Sequence, residues 1–183
     1  KGTSINIGAP EPIQDLHAPR GSFITADSDR DGLALLKQLN EAHLRDGRSG
    51  DSRLDARIAS YEMAARLQLS APEVLDLAGE SEATRKLYGI DDERTADMGR
   101  RCLTARRLLE RGVRFVQIWS GADNGFPRRN WDSHEHLAKD HGELGFALDK
   151  PVAALIRDLK SRGLLDSTIV HWSSEFGRMP CSQ

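Results

Sequence analysis

The chain has 183 residues and a net charge of −2, with 26 lysines and arginines against 28 aspartates and glutamates. This length suits one ordinary domain, and the near balance of charge excludes the strongly basic domain that a general nucleic-acid binder usually shows. No apolar run approaches the roughly 20 residues of a membrane helix, and no signal peptide is visible. Two cysteines, Cys102 and Cys181, are too few for a disulfide framework.

In chain order, residues 1–30 are predicted to form an irregular lead-in, because glycine and proline recur and no periodicity is sustained. Residues 31–111 have leucines and alanines at the spacing of helices. A first helix is predicted after Asp31 and a second after Asp51, which is a candidate N-cap. The letters S-A-P-E at 70–73 predict a stop followed by a short further helix.

The last helix of this section is predicted to present one apolar stripe and to end at Gly112. The stripe consists of Met98, Cys102, Ala105 and Leu109. The letters C-L-T-A-R that begin at Cys102 loosely resemble C-x-P-x-R, the sulfatase signature in which a cysteine is oxidised to formylglycine, but threonine replaces the proline. A buried cysteine that acts as a small apolar side chain is the better interpretation.

Six arginines accompany this helix: Arg94, Arg100, Arg101, Arg106, Arg107 and Arg111. Charge runs on helices usually face solvent, so we interpret the arginines as a solvated face. The weaker alternative is that the arginine-rich helices between Asp31 and Arg111 form a surface for a protein partner, which charge reversal at Arg100 and Arg101 would test.

Beyond Gly112 the pattern changes to a strand, a loop, a helix and a second strand. Residues 113–119 (V-R-F-V-Q-I-W) and 168–172 (T-I-V-H-W) have the length and the β-branched and aromatic content of strands. Between them, a helix is predicted to begin at the candidate cap Asp149 and to end at Gly163. The sequence therefore predicts an α/β fold in which this βαβ crossover makes the two strands parallel.

Three side chains with metal-binding chemistry follow the two predicted strands. Asp132 and His134 come after the first strand, and Glu175 comes after the second. Because the carboxyl ends of parallel strands share one edge of a sheet, we expect the three to converge on a divalent metal ion. Carboxylate and imidazole donors together favour zinc, manganese or iron over magnesium or calcium. The alternative is that Asp132 caps the following helix and His134 lies on its solvent face.

The other histidines and one arginine are secondary candidates. His141 lies seven positions after His134 and would share a face with it on a continuous helix, so a role in the site and a surface position are both open. His136 is interpreted as a surface residue, and His171, within the second strand, as a residue that is packed or bonded to backbone rather than a ligand. Arg178 has the chemistry to bind an anionic substrate bidentately, with a structural ion pair as the alternative.

From Ala105 onward the chain resembles a large bacterial family. The similar runs are A-R-R-L-L-E-R-G-V-R-F-V-Q, W-D-S-H, K-P-V-A-A-L-I-R-D-L-K-S-R-G-L-L-D-S-T-I-V and S-E-F-G-R-M-P; the opening K-G-T and P-E-P-I-Q-D-L are similar to its middle region. The family is a domain of unknown function, often described as sulfatase-like and placed in the alkaline phosphatase-like superfamily. The resemblance is most specific over 103–180. Because members continue on both sides of this stretch, we expect residues 1–183 to be an internal segment of one larger domain.

The resemblance implies an α/β/α sandwich with parallel strands, a helix-rich N-terminal half and a βαβ unit at 112–183, with the sheet completed by the rest of the parent protein. It implies a metal cluster at the strand ends, where Asp132, His134 and Glu175 are the matching positions, and it favours His141 as a further candidate.

The activity implied by the resemblance is hydrolysis of small phosphate or sulfate esters. The cofactor would be zinc or manganese, with calcium or magnesium as alternatives, and family members are often exported. A non-catalytic binding or scaffold domain that keeps the fold is the alternative function.

Overall fold

The structure is a computed structural model that describes residues 3–14, 16, 22–45, 52–121 and 130–174; at positions 26, 44, 52–55 and 64–70 it describes the backbone alone. Five α-helices lie in these residues: α1 (Ala26–Arg45), α2 (Ser52–Leu75), α3 (Glu82–Tyr88), α4 (Glu93–Glu110) and α5 (Leu137–Ser161). A 3-10 turn at Leu165–Ser167 follows α5. The chain divides into two compact units, Lys1–Asp76 and Leu77–Gln183.

The N-terminal unit contains α1 and α2. At the start of α1, the side chains of Thr25 and Ser28 each accept a hydrogen bond from the other residue's backbone amide: the Ser28 amide donates to Thr25 Oγ1 (3.1 Å), and the Thr25 amide donates to Ser28 Oγ (2.8 Å). This reciprocal cap satisfies amides that the first helical turn leaves without partners. It explains why α1 begins at Ala26, before the predicted start after Asp31.

The second helix runs through Pro72 without interruption, so the predicted stop and restart at 70–73 is wrong. A proline within a helix removes one backbone hydrogen bond and costs about 3 kcal/mol relative to alanine. The flanking leucine, glutamine, alanine and glutamate residues favour a helix and offset that cost. The Asp76 amide continues the helical pattern by donating to the Pro72 carbonyl oxygen (3.0 Å).

The C-terminal unit is held together by an apolar core between α3, α4 and α5. The core consists of Tyr88, Ile90, Met98, Cys102, Leu103, Leu148, Ala154, Leu155 and Leu159. Met98, Cys102 and Ala105 are buried on one face of α4, as their spacing predicts. The interpretation of Cys102 as a buried apolar residue is thereby confirmed.

The turn between α3 and α4 is short because both helix ends are capped. Gly89 has a φ of 68°, in the left-handed region, and its amide donates to the carbonyl oxygens of Arg85 and Lys86, which ends α3. Asp92 then caps α4, since its Oδ1 accepts a hydrogen bond from the Arg94 amide (3.0 Å). These caps satisfy the backbone groups at the junction and hold the end of α3 beside the core.

No strand forms in the described residues, so the prediction of an α/β fold with a βαβ unit and a parallel-stranded α/β/α sandwich is wrong for this structure. Residues 113–119 and 168–172 lack regular secondary structure, and Phe115 and Ile169 are 80% and 92% exposed. A strand is stable only beside a partner that accepts its backbone hydrogen bonds. High β-propensity alone therefore does not produce a sheet here.

The last helix is much longer than predicted. It begins at Leu137, so Asp149 lies inside α5 and does not cap it, and Pro151 also lies in the helix interior. Two glycines in the first half disfavour a helix in isolation, which is why the sequence pattern placed the start too late. Packing of Leu148 and Leu155 in the core stabilises the helix and outweighs the effect of the two glycines.

Candidate functional site

A short loop that precedes α5 brings a carboxylate and an imidazole together. Asp132 Oδ1 and His134 Nε2 are 3.0 Å apart. Both side chains reach solvent, with exposed fractions of 65% for Asp132 and 33% for His134. Because an ionised carboxylate only accepts hydrogen bonds, the His134 Nε2–H is the donor in this contact. Two of the three predicted metal ligands are therefore neighbours at the surface.

Trp131 anchors the start of this loop. Its indole packs against the core, and its Nε1–H donates to Ser120 Oγ (3.1 Å). The Trp131 carbonyl oxygen lies 2.8 Å from His141 Nε2, and the two rings are tilted by 59° with centroids 5.3 Å apart. Since a carbonyl oxygen only accepts, His141 carries its proton on Nε2 in this contact.

Two further hydrogen bonds hold the middle of the loop. The Asp132 amide donates to the Asn130 side-chain oxygen (2.8 Å), and the Ser133 hydroxyl donates to Asp140 Oδ2 (2.6 Å). Asn130, Ser133 and Asp140 are all buried. The exposed side chains of Asp132 and His134 are therefore attached to a loop that buried hydrogen bonds hold in place.

Two of the predicted site residues, Glu175 and Arg178, lie outside the described residues. The third metal ligand and the anion-binding arginine stay predictions. Among the described residues, no group of three or more histidine, cysteine, aspartate or glutamate side chains is arranged to hold a metal ion.

The histidines lie in different settings from those the sequence suggests. His141 and His134 do not share a helix face, because α5 begins after His134. His136 is exposed, which confirms its interpretation as a surface residue. His171 is exposed as well, and the segment that carries it is not a strand in the described residues, so the prediction that it is packed within a strand is wrong. The alternative, a bond to backbone, stays a prediction.

The Asp132–His134 pair has the donor chemistry of part of a metal site. Carboxylate oxygen and imidazole nitrogen both bind zinc and manganese. Catalytic zinc sites usually take three protein ligands and a water, so this pair fits such an ion but needs one more protein donor. The predicted Glu175 has suitable chemistry for that position.

A second polar assembly was not expected from the sequence; it extends from the interior of the C-terminal unit to the surface at Glu110 and Arg162. We call it the polar cluster, and its members are Glu80, Tyr88, Arg106, Arg107, Glu110, Asp158 and Arg162. It joins α4 to the end of α5, to Tyr88 at the end of α3, and to the segment before α3.

Arg106 is the centre of the polar cluster and is 3% exposed. Its Nη2 donates to both carboxylate oxygens of Glu80 at 2.9 Å, and its Nη1 donates to Glu110 at 2.7 Å. Arg106 Nε lies 3.1 Å from Asp158 Oδ2, which is an ion-pair distance, but its N–H makes no well-aligned hydrogen bond. A buried guanidinium is stable only with such partners.

Asp158 links α5 to this centre. Its Oδ2 accepts a hydrogen bond from the Tyr88 hydroxyl (2.9 Å), and its Oδ1 accepts one from Arg162 Nε (2.7 Å). Arg162 also reaches α4 by donating to Glu110 Oε1 (2.6 Å). Each of these carboxylates is therefore shared between two or more donors.

The pKa values of the polar cluster follow from this arrangement. Burial raises the pKa of Tyr88, and the adjacent charge of Asp158 raises it further. Burial alone would raise the pKa of Glu80, but hydrogen bonds and charge from Arg107 and Arg106 outweigh it and hold that pKa below its usual value. Burial would lower the pKa of Arg106, but Glu110 and Glu80 outweigh it, so the pKa rises and the guanidinium stays charged.

The interpretation of the six arginines as one solvated face is wrong for Arg106. The signal was present in the helical spacing: Arg106 follows the buried Cys102 by one turn and so lies on the core side of α4. Arg94, by contrast, is mostly exposed, with its guanidinium 3.8 Å from the centre of the Phe146 ring.

Cys102 offers no second reactive centre. It is fully buried, and burial raises the pKa of its thiol to about 12. The thiolate is the reactive form of cysteine, so this side chain is inert near neutral pH.

Within the described residues, no helix combines the length and the apolar character that crossing a membrane requires. In its described part, the protein is helical and carries an exposed carboxylate–imidazole pair, Asp132 and His134. The chain belongs to a bacterial domain family of unknown function, since the family model described as "Protein of unknown function (DUF1501)" matches residues 1–183. Neither a curated protein nor a solved structure matches the chain.

Proposed function

We propose that this chain forms part of a metal-dependent, sulfatase-like hydrolase of phosphate or sulfate esters. Asp132 and His134 serve as two of the metal ligands, and Glu175 serves as a third. The observation that carries the proposal is the 3.0 Å contact between Asp132 Oδ1 and His134 Nε2 at an exposed surface.

The chemistry of this donor pair supports the proposal. An oxygen and a nitrogen donor suit zinc or manganese, with magnesium or calcium as alternatives. A bound divalent ion supplies charge stabilisation at a phosphoryl or sulfuryl oxygen and lowers the pKa of a coordinated water. Arg178 is proposed to bind the anionic group of the ester through its planar guanidinium.

The surroundings of the pair also support it. A site must hold its ligands in one geometry, and the buried neighbours Asn130 and Ser133 restrain the backbone on both sides of Asp132. The exposed fractions of Asp132 and His134 leave room for a metal ion and a small ester to approach.

Metal content of purified protein tests the ligand assignment. After incubation with Zn²⁺ or Mn²⁺ and dialysis, we expect wild type to retain one ion per chain and Asp132→Asn and His134→Ala to lose it. Glu135→Gln and His136→Gln are matched controls, because they change exposed neighbours of the same chemical types and should leave the metal content unchanged. A wild-type chain without bound metal, or full retention in both site variants, would contradict the proposal.

Turnover of 4-nitrophenyl phosphate and 4-nitrophenyl sulfate tests the activity. We expect the metal-loaded protein to hydrolyse at least one of these esters, with loss of activity in Asp132→Asn and after treatment with a chelator. Metal binding without turnover of either ester would instead favour the non-catalytic binding or scaffold alternative.

A further inference from the structure

Two contacts connect the beginning of α5 to the loop that carries the candidate ligands. The Ser133 hydroxyl donates to Asp140 Oδ2 at 2.6 Å, and His141 Nε2 lies 2.8 Å from the Trp131 carbonyl oxygen. We call these two contacts the loop clamp. Ser133 is 1% exposed and Asp140 is 5% exposed, so the first contact is buried.

The Ser133–Asp140 contact has the properties of a strong hydrogen bond. Hydrogen bonds from a hydroxyl to a carboxylate, at about 2.5–2.7 Å, are shorter and stronger than hydrogen bonds between neutral groups. Asp140 also lies in the first turn of α5, where the helix dipole stabilises a negative charge. Its amide donates to the His136 carbonyl oxygen (2.9 Å), which keeps the carboxylate on a regular helix.

Ser133 lies between the two candidate ligands in sequence, so the Ser133–Asp140 hydrogen bond affects the direction in which both ligands point. The loop bends on both sides of Ser133, at Trp131–Asp132 and at His134–Glu135. Ser133 points inward to Asp140, and Asp132 and His134 both reach solvent and contact one another.

We propose that Asp140 is a positioning residue: by holding Ser133 in the interior, it places Asp132 and His134 on one outward side, with His141 fixing the backbone at Trp131. The effect on the conformation of the loop is independent of any metal. Only the effect on metal affinity rests on the proposed function.

The first measurement determines the conformation of the His134 side chain in metal-free protein. Three-bond NMR couplings report the χ1 rotamer of His134 in the full chain. We expect one rotamer in wild type and averaging over several in Ser133→Ala and Asp140→Ala. Asp140→Asn should keep the wild-type rotamer, because its amide oxygen still accepts from the Ser133 hydroxyl.

A matched control removes a similar serine hydroxyl at the other end of α5. Ser161 Oγ donates to the Asp158 carbonyl oxygen (2.9 Å), so Ser161→Ala perturbs the same helix without touching the loop clamp. It should leave the His134 rotamer unchanged. If Asp140→Ala does not fold, Ser133→Ala still breaks the same hydrogen bond from its other partner.

The second measurement determines the affinity for Mn²⁺ by electron paramagnetic resonance. Loss of a group that orients a metal ligand typically weakens binding by about 10–100-fold, and we expect that loss in Ser133→Ala and Asp140→Ala. The double variant should bind Mn²⁺ about as well as either single variant, because all three lack the same bond.

The outcomes separate the two proposals. A single His134 rotamer in both Ser133→Ala and Asp140→Ala would overturn the positioning role, whatever the metal affinity. Averaging in these variants, together with a wild type that binds no Mn²⁺ or Zn²⁺, would support the positioning role and overturn the proposed function. Averaging in Ser161→Ala to the same extent would show a general loosening of α5 and would also overturn the positioning role.

Discussion

The two ends of α5 make polar contacts of opposite character. Near its end, Asp158 enters the polar cluster, where buried carboxylates and guanidinium groups partner one another. Near its beginning, Asp140 is buried but holds a loop whose two ionisable side chains, Asp132 and His134, reach solvent. At the centre of the polar cluster, Arg106, Glu80 and Asp158 are buried and paired with one another, so we expect the cluster to stabilise the unit. The Asp132–His134 pair is accessible, so it is the better candidate for binding a ligand.

The largest expected effect comes from removing the centre of the polar cluster. Arg106→Leu leaves Glu80 and Asp158 buried without their shared cation, and loss of one partner from a buried ion pair costs about 3–5 kcal/mol. Urea unfolding followed by circular dichroism measures this loss. Arg100→Leu, on the same helix, should change the free energy of unfolding by no more than about 0.5 kcal/mol. Equal effects of the two substitutions would show that the cluster does not stabilise the fold.

A smaller loss is expected when one neutral partner of the cluster is removed. Tyr88→Phe deletes the hydroxyl that donates to Asp158, and a hydrogen bond to a charged group contributes about 1.5–3 kcal/mol. The same urea experiment applies. Tyr61, which is 65% exposed on α2, provides the control Tyr61→Phe, for which we expect no measurable change.

Glu80 is expected to make stability depend on pH in the acid range. Although burial opposes it, Arg107 and Arg106 hold the folded-state pKa of Glu80 below 4.5, the value for the unfolded chain. The stabilisation is therefore fully present above about pH 4.5 and is lost as the pH falls through the lower folded-state pKa. The difference in unfolding free energy between wild type and Glu80→Gln should shrink as the pH is lowered through that range. Glu82→Gln, at an exposed position of α3, should show no such trend.

The smallest structural effect concerns the thiol in the core. With Cys181 replaced by serine, we expect Cys102 to resist Ellman's reagent in the folded protein near pH 8 and to react once the chain is unfolded in urea, because burial raises its pKa to about 12. Rapid reaction of the native protein would show that α4 and α5 separate readily at this point of the core.

Features that depend on residues close in sequence were predicted well. The spacing of Met98, Cys102 and Ala105 predicted the buried face of α4, and the helix ends at Glu110, next to the predicted stop at Gly112. The Asp132–His134 contact spans two positions, so the W-D-x-H letters already placed these donors near one another.

Features that depend on distant partners were predicted poorly. Residues 113–119 have the composition of a strand, but pairing requires a neighbour that no local pattern supplies. In the polar cluster, Tyr88 and Asp158 are 70 positions apart and Glu80 and Arg106 are 26 apart. Burial of Arg106 follows from these contacts and not from the charge run in which it lies.

The amino-acid sequence by itself determined the apolar face of α4 and the identity of the Asp132 and His134 donors, because helical periodicity and local spacing act within a few residues. Only the tertiary structure decided that α5 begins at Leu137, that Asp140 holds Ser133 and that Arg106 is buried. The physical reason is that a buried charge is stable only when several partners from separate parts of the chain surround it. Those partners come together only when the chain has folded.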